Sequence, residues 1–260
     1  MHLKSTELVV IIADIWDISY LIKFDDLHMR SKAVTSEQMY KIEENGQMIF
    51  GMQRLLMMEN AGNKTADFLL RRFGAGLKRK KIVAICGSGN NGGDTFVVCR
   101  HLAAACITNI TIILLAKPKE LRTSEARINW NIIRKMKSLK KVTVWYYKQN
   151  DAGHVIEMET EDAEIILDGV LGTGVKGKIR EPLSSAIDKI NQSKAYVLAI
   201  DVPSGLDPTT GEPSNKCIEA NATITFHRMK KGLDIGKKYA GSIHIEKIGI
   251  PPEAEEGVLI

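Results

Sequence analysis

Three short segments of the chain combine acids, amides, hydroxyls and glycines at spacings that suit an anionic ligand and proton transfer. The first is Gly87-Ser88-Gly89-Asn90-Asn91-Gly92-Gly93-Asp94. It contains G-x-G-x-x-G, whose glycines permit tight turning and close backbone approach to a pyrophosphate. A helix starting there adds N–H donors and the positive end of its dipole. The bland alternative is a glycine-rich turn with Asp94 as helix cap. The second segment is Asp168-Gly169-Val170-Leu171-Gly172-Thr173-Gly174-Val175-Lys176-Gly177-Lys178, an acid followed by a loop with bare amides and two ammonium groups. The third, Asp201-Val202-Pro203-Ser204-Gly205-Leu206-Asp207, again opens on an acid, where low-dielectric walls can tune a carboxyl for acid–base work. Asp207, beside Pro208, reads as a turn-ordering residue.

Each segment follows a short apolar run: Lys81 to Cys86, Ala163 to Leu167, and Tyr196 to Ile200. Such runs, stopped by glycine or acid, read as buried parallel strands. Further strands are expected at Ile110 to Leu115, Val142 to Tyr146, Ala222 to Phe226 and Ser242 to Ile248. Helices are expected after the capping box that opens at Thr35, around Leu55 to Phe73, after the first glycine loop, around Ser124 to Lys137, and near Pro182. Strand and helix alternate at a βαβ rhythm. The expected fold is an α/β, Rossmann-like three-layer αβα sandwich with a mostly parallel central sheet. Ligands of such sheets bind outside the carboxyl ends of the strands, where strand order reverses, which is where all three segments fall.

The composition, with 44% hydrophobic and 26% charged residues, is that of a soluble globular chain. A net charge of +5 suits a phosphate-bearing ligand but falls short of the dense basic stripe of a nucleic-acid binder. Cys86, Cys99, Cys106 and Cys217 form no C-x-x-C pair, so they read as small core residues in a reducing, cytoplasmic setting. Cys99 and Cys106 are expected on one face of one helix. Residues 1 to about 32 carry the apolar run Leu8 to Ile12, then Ile15, Trp16, Ile18, Leu21 and Ile22, broken by Asp14 and Asp17. That pattern matches neither a signal peptide nor a membrane span. It reads as an appended amphipathic segment before a domain at 33–260.

With these segments in order, the sequence resembles the NAD(P)H-hydrate epimerase family, also called the YjeF N-terminal domain family. The resemblance runs from about Val34 to Pro252. Besides the three segments it includes Met57-Met58-Glu59-Asn60-Ala61-Gly62 and Ile248-Gly249-Ile250-Pro251. Members interconvert the R and S forms of hydrated NADH and NADPH, so that a partner dehydratase can restore the cofactor. The resemblance implies that Asn90, Asn91, Gly92, Gly93 and Asp94 form part of the substrate loop. Gly172, Thr173, Gly174, Val175, Lys176, Gly177 and Lys178 would form its second wall. Asp201 would contact substrate, and Asn91, Asp168 and Ser204 match the positions whose oxygens hold potassium in the family. It further implies a separate dehydratase as functional partner, no membrane association, and a homodimer, as is common among relatives.

Two positions depart from the family pattern. Thr95 replaces a glycine, where its side chain would narrow the pocket or cap the helix, and His227 replaces a smaller residue and is expected to be a bystander. The carbon that epimerises is a hemiaminal. Its ring nitrogen can expel the hydroxyl to leave an iminium-like cation, and water then returns from the other face. One carboxyl alternating between acid and base would serve both steps, and Asp201 is the choice. Ring opening to an aldehyde would use the same acid. One rival reading is an NAD(P)-dependent oxidoreductase, which leaves the Asp-Val-Pro-Ser-Gly-Leu-Asp segment unexplained. The end of the second strand, Ala116-Lys117-Pro118-Lys119-Glu120, also has no acid at the strand end to read a ribose. The other rival is a non-catalytic nucleotide- or RNA-binding module, against which Asp168, Asp201 and the lack of a basic, aromatic-rich face argue.

Overall fold

The computed structural model describes residues 33–139, 141–144, 152–174 and 177–259. The expectation for residues 1–32 lies outside this set. Thr35 caps helix α1 (Ser36–Phe50): its side chain accepts from the Gln38 N–H, and the Gln38 side chain returns a bond to the Thr35 N–H. Helix α2 (Arg54–Phe73) follows and stops at Gly74.

From there strands and helices alternate. Strand β1 (Ile82–Cys86) leads into α3 (Asn90–Ala104), β2 (Ile110–Leu114) into α4 (Ser124–Ile133), and β3 (Lys141–Val144) into α5 (Ala152–Thr160). Then come β4 (Ile165–Gly169), α6 (Leu183–Gln192), β5 (Tyr196–Ile200), β6 (Ala222–Phe226), the short helices α7 (Lys231–Ile235) and α8 (Lys237–Ala240), and β7 (Ser242–Glu246). The seven strands make one sheet in the order β3-β2-β1-β4-β5-β6-β7, and every pair is parallel. The expected α/β architecture is therefore borne out.

The pleat sorts side chains by twos, and the central strands β1, β2, β4 and β5 feed two cores. Ile82, Ala84 and Cys86 of β1, with Ile112, Leu167, Leu198 and Ile200, pack with Met57, Phe96, Leu102 and Trp130 of α2–α4 on one face. Val83 and Ile85, with Ile113, Ile166, Val197 and Ala199, pack with Ile156, Ile187 and Ile190 of α5 and α6 on the other. Burial on both faces is why the strands read as unbroken apolar runs rather than alternating ones.

Chain order reverses at β1. The chain steps outward through β2 and β3, then returns to β1's other side with β4. The crevice between the ends of β1 and β4 is thus the switch point of the sheet.

Three local expectations need correction. Helix α3 ends at Ala104, and Cys106 stands beyond it with φ 63°. Cys99 is buried and Cys106 exposed, so they do not share a helix face. Strand β4 runs two residues past Leu167, so Asp168 lies within the strand, paired in register with Ile85 and Ala199. Helix α4 ends at Ile133 rather than near Lys137.

Candidate active site

The loop after β1 is only three residues long. Gly89 is the extended N-cap of α3, so Asn90 to Gly93 form the first helical turn and Asp94 begins the second. Asp94 is therefore not the cap. The closeness of this turn to the next loop explains the glycines: a Cβ on Gly87 would collide with the Val170 carbonyl, and one on Gly92 with the Gly87 carbonyl. Gly93 sits against Met58 of α2, where a Cβ would lie 2.6 Å from the methionine methyl. Gly92 and Gly93 serve this packing behind the turn, while Ser88, Gly89, Asn90, Asn91 and Asp94 line a cavity of 1010 Å³. Thr95 neither narrows that cavity nor caps the helix. It is fully buried, and its hydroxyl donates to the Asn91 carbonyl at 2.8 Å.

Beneath this turn lies a buried polar knot. The Ser204 hydroxyl donates to Asp168 Oδ1 at 2.5 Å, and the Ser204 N–H to Oδ2 at 2.8 Å. The Leu171 N–H donates to Ser204 Oγ at 2.8 Å, and the Asn91 side-chain amide to the Leu171 carbonyl at 2.7 Å. Leu171 thus joins Asn91 to Ser204, and Ser204 in turn holds Asp168. Burial pushes the Asp168 carboxyl up to about 6, against the pull of its bonds from Ser204 and Val170. The Asn91 side-chain oxygen, Oδ1, is buried without a protein partner. An orphaned acceptor beside a carboxylate, a hydroxyl and a backbone carbonyl is a donor set for a hard cation. Among the described residues no cluster of three His, Cys, Asp or Glu side chains could hold a metal. The neutral oxygens here fit a monovalent ion such as potassium better than a transition metal.

Asp201 closes the far wall. It leaves β5 with φ 64°, the left-handed region, and its N–H donates to the Ile224 carbonyl at 2.7 Å. Its Oδ1 accepts from Lys230 Nζ at 2.5 Å, from the Thr225 hydroxyl at 3.2 Å and from the Phe226 N–H at 3.3 Å. Lys230 is 1% exposed, and its ammonium also donates to the Phe226 carbonyl at 2.9 Å. Reading the sequence missed Lys230. It adjoins Lys231, and nothing local shows which of two neighbouring lysines is buried. Its partner lies 29 residues away.

Along the second loop, Gly172, Thr173, Gly174 and Lys178 line the cavity, whereas Gly177 does not; Val175 and Lys176 lie outside the described residues. Arg54, Arg122 and Arg180 add positive charge to the same walls, and the carboxyls of Glu43, Asp94 and Asp201 line them too. His227 points elsewhere. Its Nε2 lies 2.8 Å from Glu255, which also receives a two-pronged bond from Arg228 at 2.7 and 2.5 Å. It is not a cavity residue, and burial pulls its imidazole down to about 4. Asp207 accepts from the Thr209 and Thr210 N–H groups at 2.8 Å and so orders its turn.

The family model described as YjeF-related protein N-terminus matches residues 54–232. The NAD(P)H-hydrate epimerase of Cenarchaeum symbiosum is 46% identical over 226 residues, 87% of this chain and 99% of that protein. The protein of the same name from Nitrosopumilus maritimus is 44% identical with the same coverage. The bifunctional NAD(P)H-hydrate repair enzyme Nnr of Pyrobaculum aerophilum is 41% identical over 86% of this chain and 43% of its own. The crystal structure of yeast ynu0, YNL200c, shares the fold with a TM-score of 0.67 at 22% identity, covering 80% of this chain and 86% of that one. Fold, motif positions and relatives agree, and the chain belongs to the YjeF N-terminal family, that of the NAD(P)H-hydrate epimerases.

Proposed function

We infer that the protein is an isomerase that interconverts the R and S forms of hydrated NADH and NADPH, with residues 33–260 as its catalytic domain. One observation carries this reading: Asp201 lines one cavity together with Asn90, Asn91 and Asp94 of the helix-opening turn, beside the reversal point of the sheet. The α3 N-terminus and Arg54, Arg122, Lys178 and Arg180 supply donors and positive charge for a pyrophosphate. Asp201 is the proton-handling carboxyl. Lys230 fixes its position through an ion pair, and the carboxyl takes a proton from attacking water and stabilises the flat, cationic ring between expulsion and return.

Potassium would be held by Asn91 Oδ1, Asp168 and Ser204, with Leu171 joining Asn91 to Ser204 and Ser204 holding Asp168. Bound there, the ion would supply a fixed positive charge below the ligand phosphates. The three residues would in turn set the first turn of α3 against the second loop.

The functional partner is a separate NAD(P)H-hydrate dehydratase. The bifunctional name of the Pyrobaculum relative supports the pairing. No helix among the described residues is long and apolar enough to cross a membrane. Four free thiols, three of them buried, support a reducing, cytoplasmic setting. Tyr40, Met48, Ile49, Phe50 and Leu56 expose a run of apolar side chains on α1 and α2, which supports a homodimer contact there.

The test mixes purified protein with the R hydrate of NADH and a dehydratase specific for the S form, with potassium or with sodium. Conversion of all the substrate, faster in potassium, is the expected result. Conversion no faster than without the protein would remove the activity, and equal rates in both salts would remove the ion.

A further inference from the structure

Building on the epimerase reading, the hydroxyl leaves one face of the ring and water returns to the other. The two proton transfers therefore take place on opposite sides of a flat cation. Asp201 is fixed at one wall by three donors to one oxygen, and a carboxyl so held reaches one side.

Of the other carboxyls that line the same cavity, Glu43 on α1 and Asp94 in the second turn of α3 act electrostatically on Asp201's surroundings, while Glu120, Glu125 and Glu181 line it elsewhere. Together with Asp201, Glu43 and Asp94 face one buried ammonium, Lys230, which is committed to Asp201 at 2.5 Å. Glu43 has a second cation nearby in Arg54. Asp94 has none, and its carboxyl makes no hydrogen bond or ion pair among the described residues. The other charged groups on elements packed against α3 are engaged or distant from Asp94. On α2, Glu59 is taken by Arg100 and His101. On α4, Glu125 accepts from Ser124 at 3.0 Å. In β4, Asp168 is taken by Ser204. Cys86 of β1 is a buried thiol driven well above its usual range by burial.

We propose that Asp94 is the proton-carrying partner of Asp201, so that epimerisation uses two carboxyls, one for each face of the ring. Burial and the nearby charges of Asp201 and Glu43 drive Asp94 well above the usual carboxylate range, with Lys230 opposing. A carboxyl that keeps its proton, lining one cavity with a carboxyl ion-paired to a lysine, sets an acid beside a base. Asp94 gives its proton to the departing hydroxyl. The C–O bond breaks with its electron pair on oxygen, water leaves, and the ring nitrogen's lone pair forms the C=N bond. Water then adds to the opposite face, forming a new C–O bond, and its proton goes to Asp201. One proton has moved from Asp94 to Asp201, one water has left and one has entered. Solvent at the cavity mouth resets the pair, and the reverse reaction exchanges the roles.

The test is the pH profile of kcat/KM for the R hydrate of NADH, coupled to excess S-specific dehydratase, in wild type, Asp94→Asn and Glu43→Gln. The wild type should give a bell, with the alkaline limb set by loss of the Asp94 proton. Asp94→Asn should lose about 100-fold or more together with that limb. Glu43→Gln removes a repelling charge, so Asp94 should deprotonate more easily and the alkaline limb should move to lower pH. A merely structural role for either residue would leave the limb in place. An active wild type with Asp94→Asn within about twofold of it, its alkaline limb intact, overturns the second carboxyl and leaves the epimerase reading standing. Should Asp94→Asn not fold, an alkaline limb unmoved in Glu43→Gln overturns it instead. A wild type with no activity overturns both.

Discussion

Lys230 crosses from the loop after β6 to place its ammonium 2.5 Å from Asp201, which leaves β5 in a left-handed conformation. The lysine is 1% exposed, and its second bond goes to the Phe226 carbonyl. The pair joins two neighbouring strand ends, and with the donors Thr225 and Phe226 it positions the carboxyl at this corner of the fold.

Replacing Asp201 by asparagine keeps the shape and removes the proton acceptor. Epimerisation should fall by at least about tenfold to a hundredfold, measured below a melting temperature that also falls because the buried Lys230 ammonium loses its carboxylate. Full rate in this variant would remove Asp201 from the chemistry.

Lys230→Met should cost about 3 kcal/mol in urea unfolding, because it strands a largely buried carboxylate. The double variant Lys230→Met with Asp201→Asn should be less destabilised than Lys230→Met alone, since no charge is then left unpaired. Equal losses in the two would show that the methionine fits badly rather than that the ion pair matters.

If potassium occupies the knot at Asn91, Asp168 and Ser204, binding only the folded state, it should raise the melting temperature as its concentration rises. Sodium and choline at the same ionic strength are the controls. Asn91→Leu removes the orphaned oxygen and should abolish the potassium-specific rise. A rise that persists in that variant places the ion elsewhere.

His227 gives a pH signature. Its folded value of about 4 lies below the 6.5 of a free imidazole, chiefly through burial. Between those values the unfolded chain holds the proton that the folded chain refuses. The stability His227 contributes is therefore complete above about pH 6.5 and is lost as pH falls toward 4. The wild-type advantage over His227→Gln in unfolding free energy should shrink by about 2–3 kcal/mol across that window. A constant difference would mean that the imidazole is charged in the native state. Activity at neutral pH should not change, since His227 is not on the cavity wall.

Much of this was legible in the chain. The apolar run Ile82–Cys86, the glycines at 87, 89 and 92, and the acids at 168 and 201 each declare their roles within a few residues. Periodicity, turning and capping are short-range effects, and they mark strand ends to within about two residues. The rules for parallel sheets then put those ends on one rim. Where reading failed, the failure was also local: the end of α3 at Ala104 separates Cys99 from Cys106, and no glycine or proline marks that stop.

What the chain by itself determined is thus the alternating fold, the three strand-end segments and the family to which they belong. Only the tertiary structure decided which side chains share a field. It put Leu171 between Asn91 and Ser204, buried Lys230 against Asp201, and left Asp94 among carboxyls with its one nearby ammonium already engaged. The physical reason is range: charge and desolvation act through space between groups about 30 to 160 residues apart in sequence, and no pattern of neighbours encodes a distance that the folded sheet alone creates.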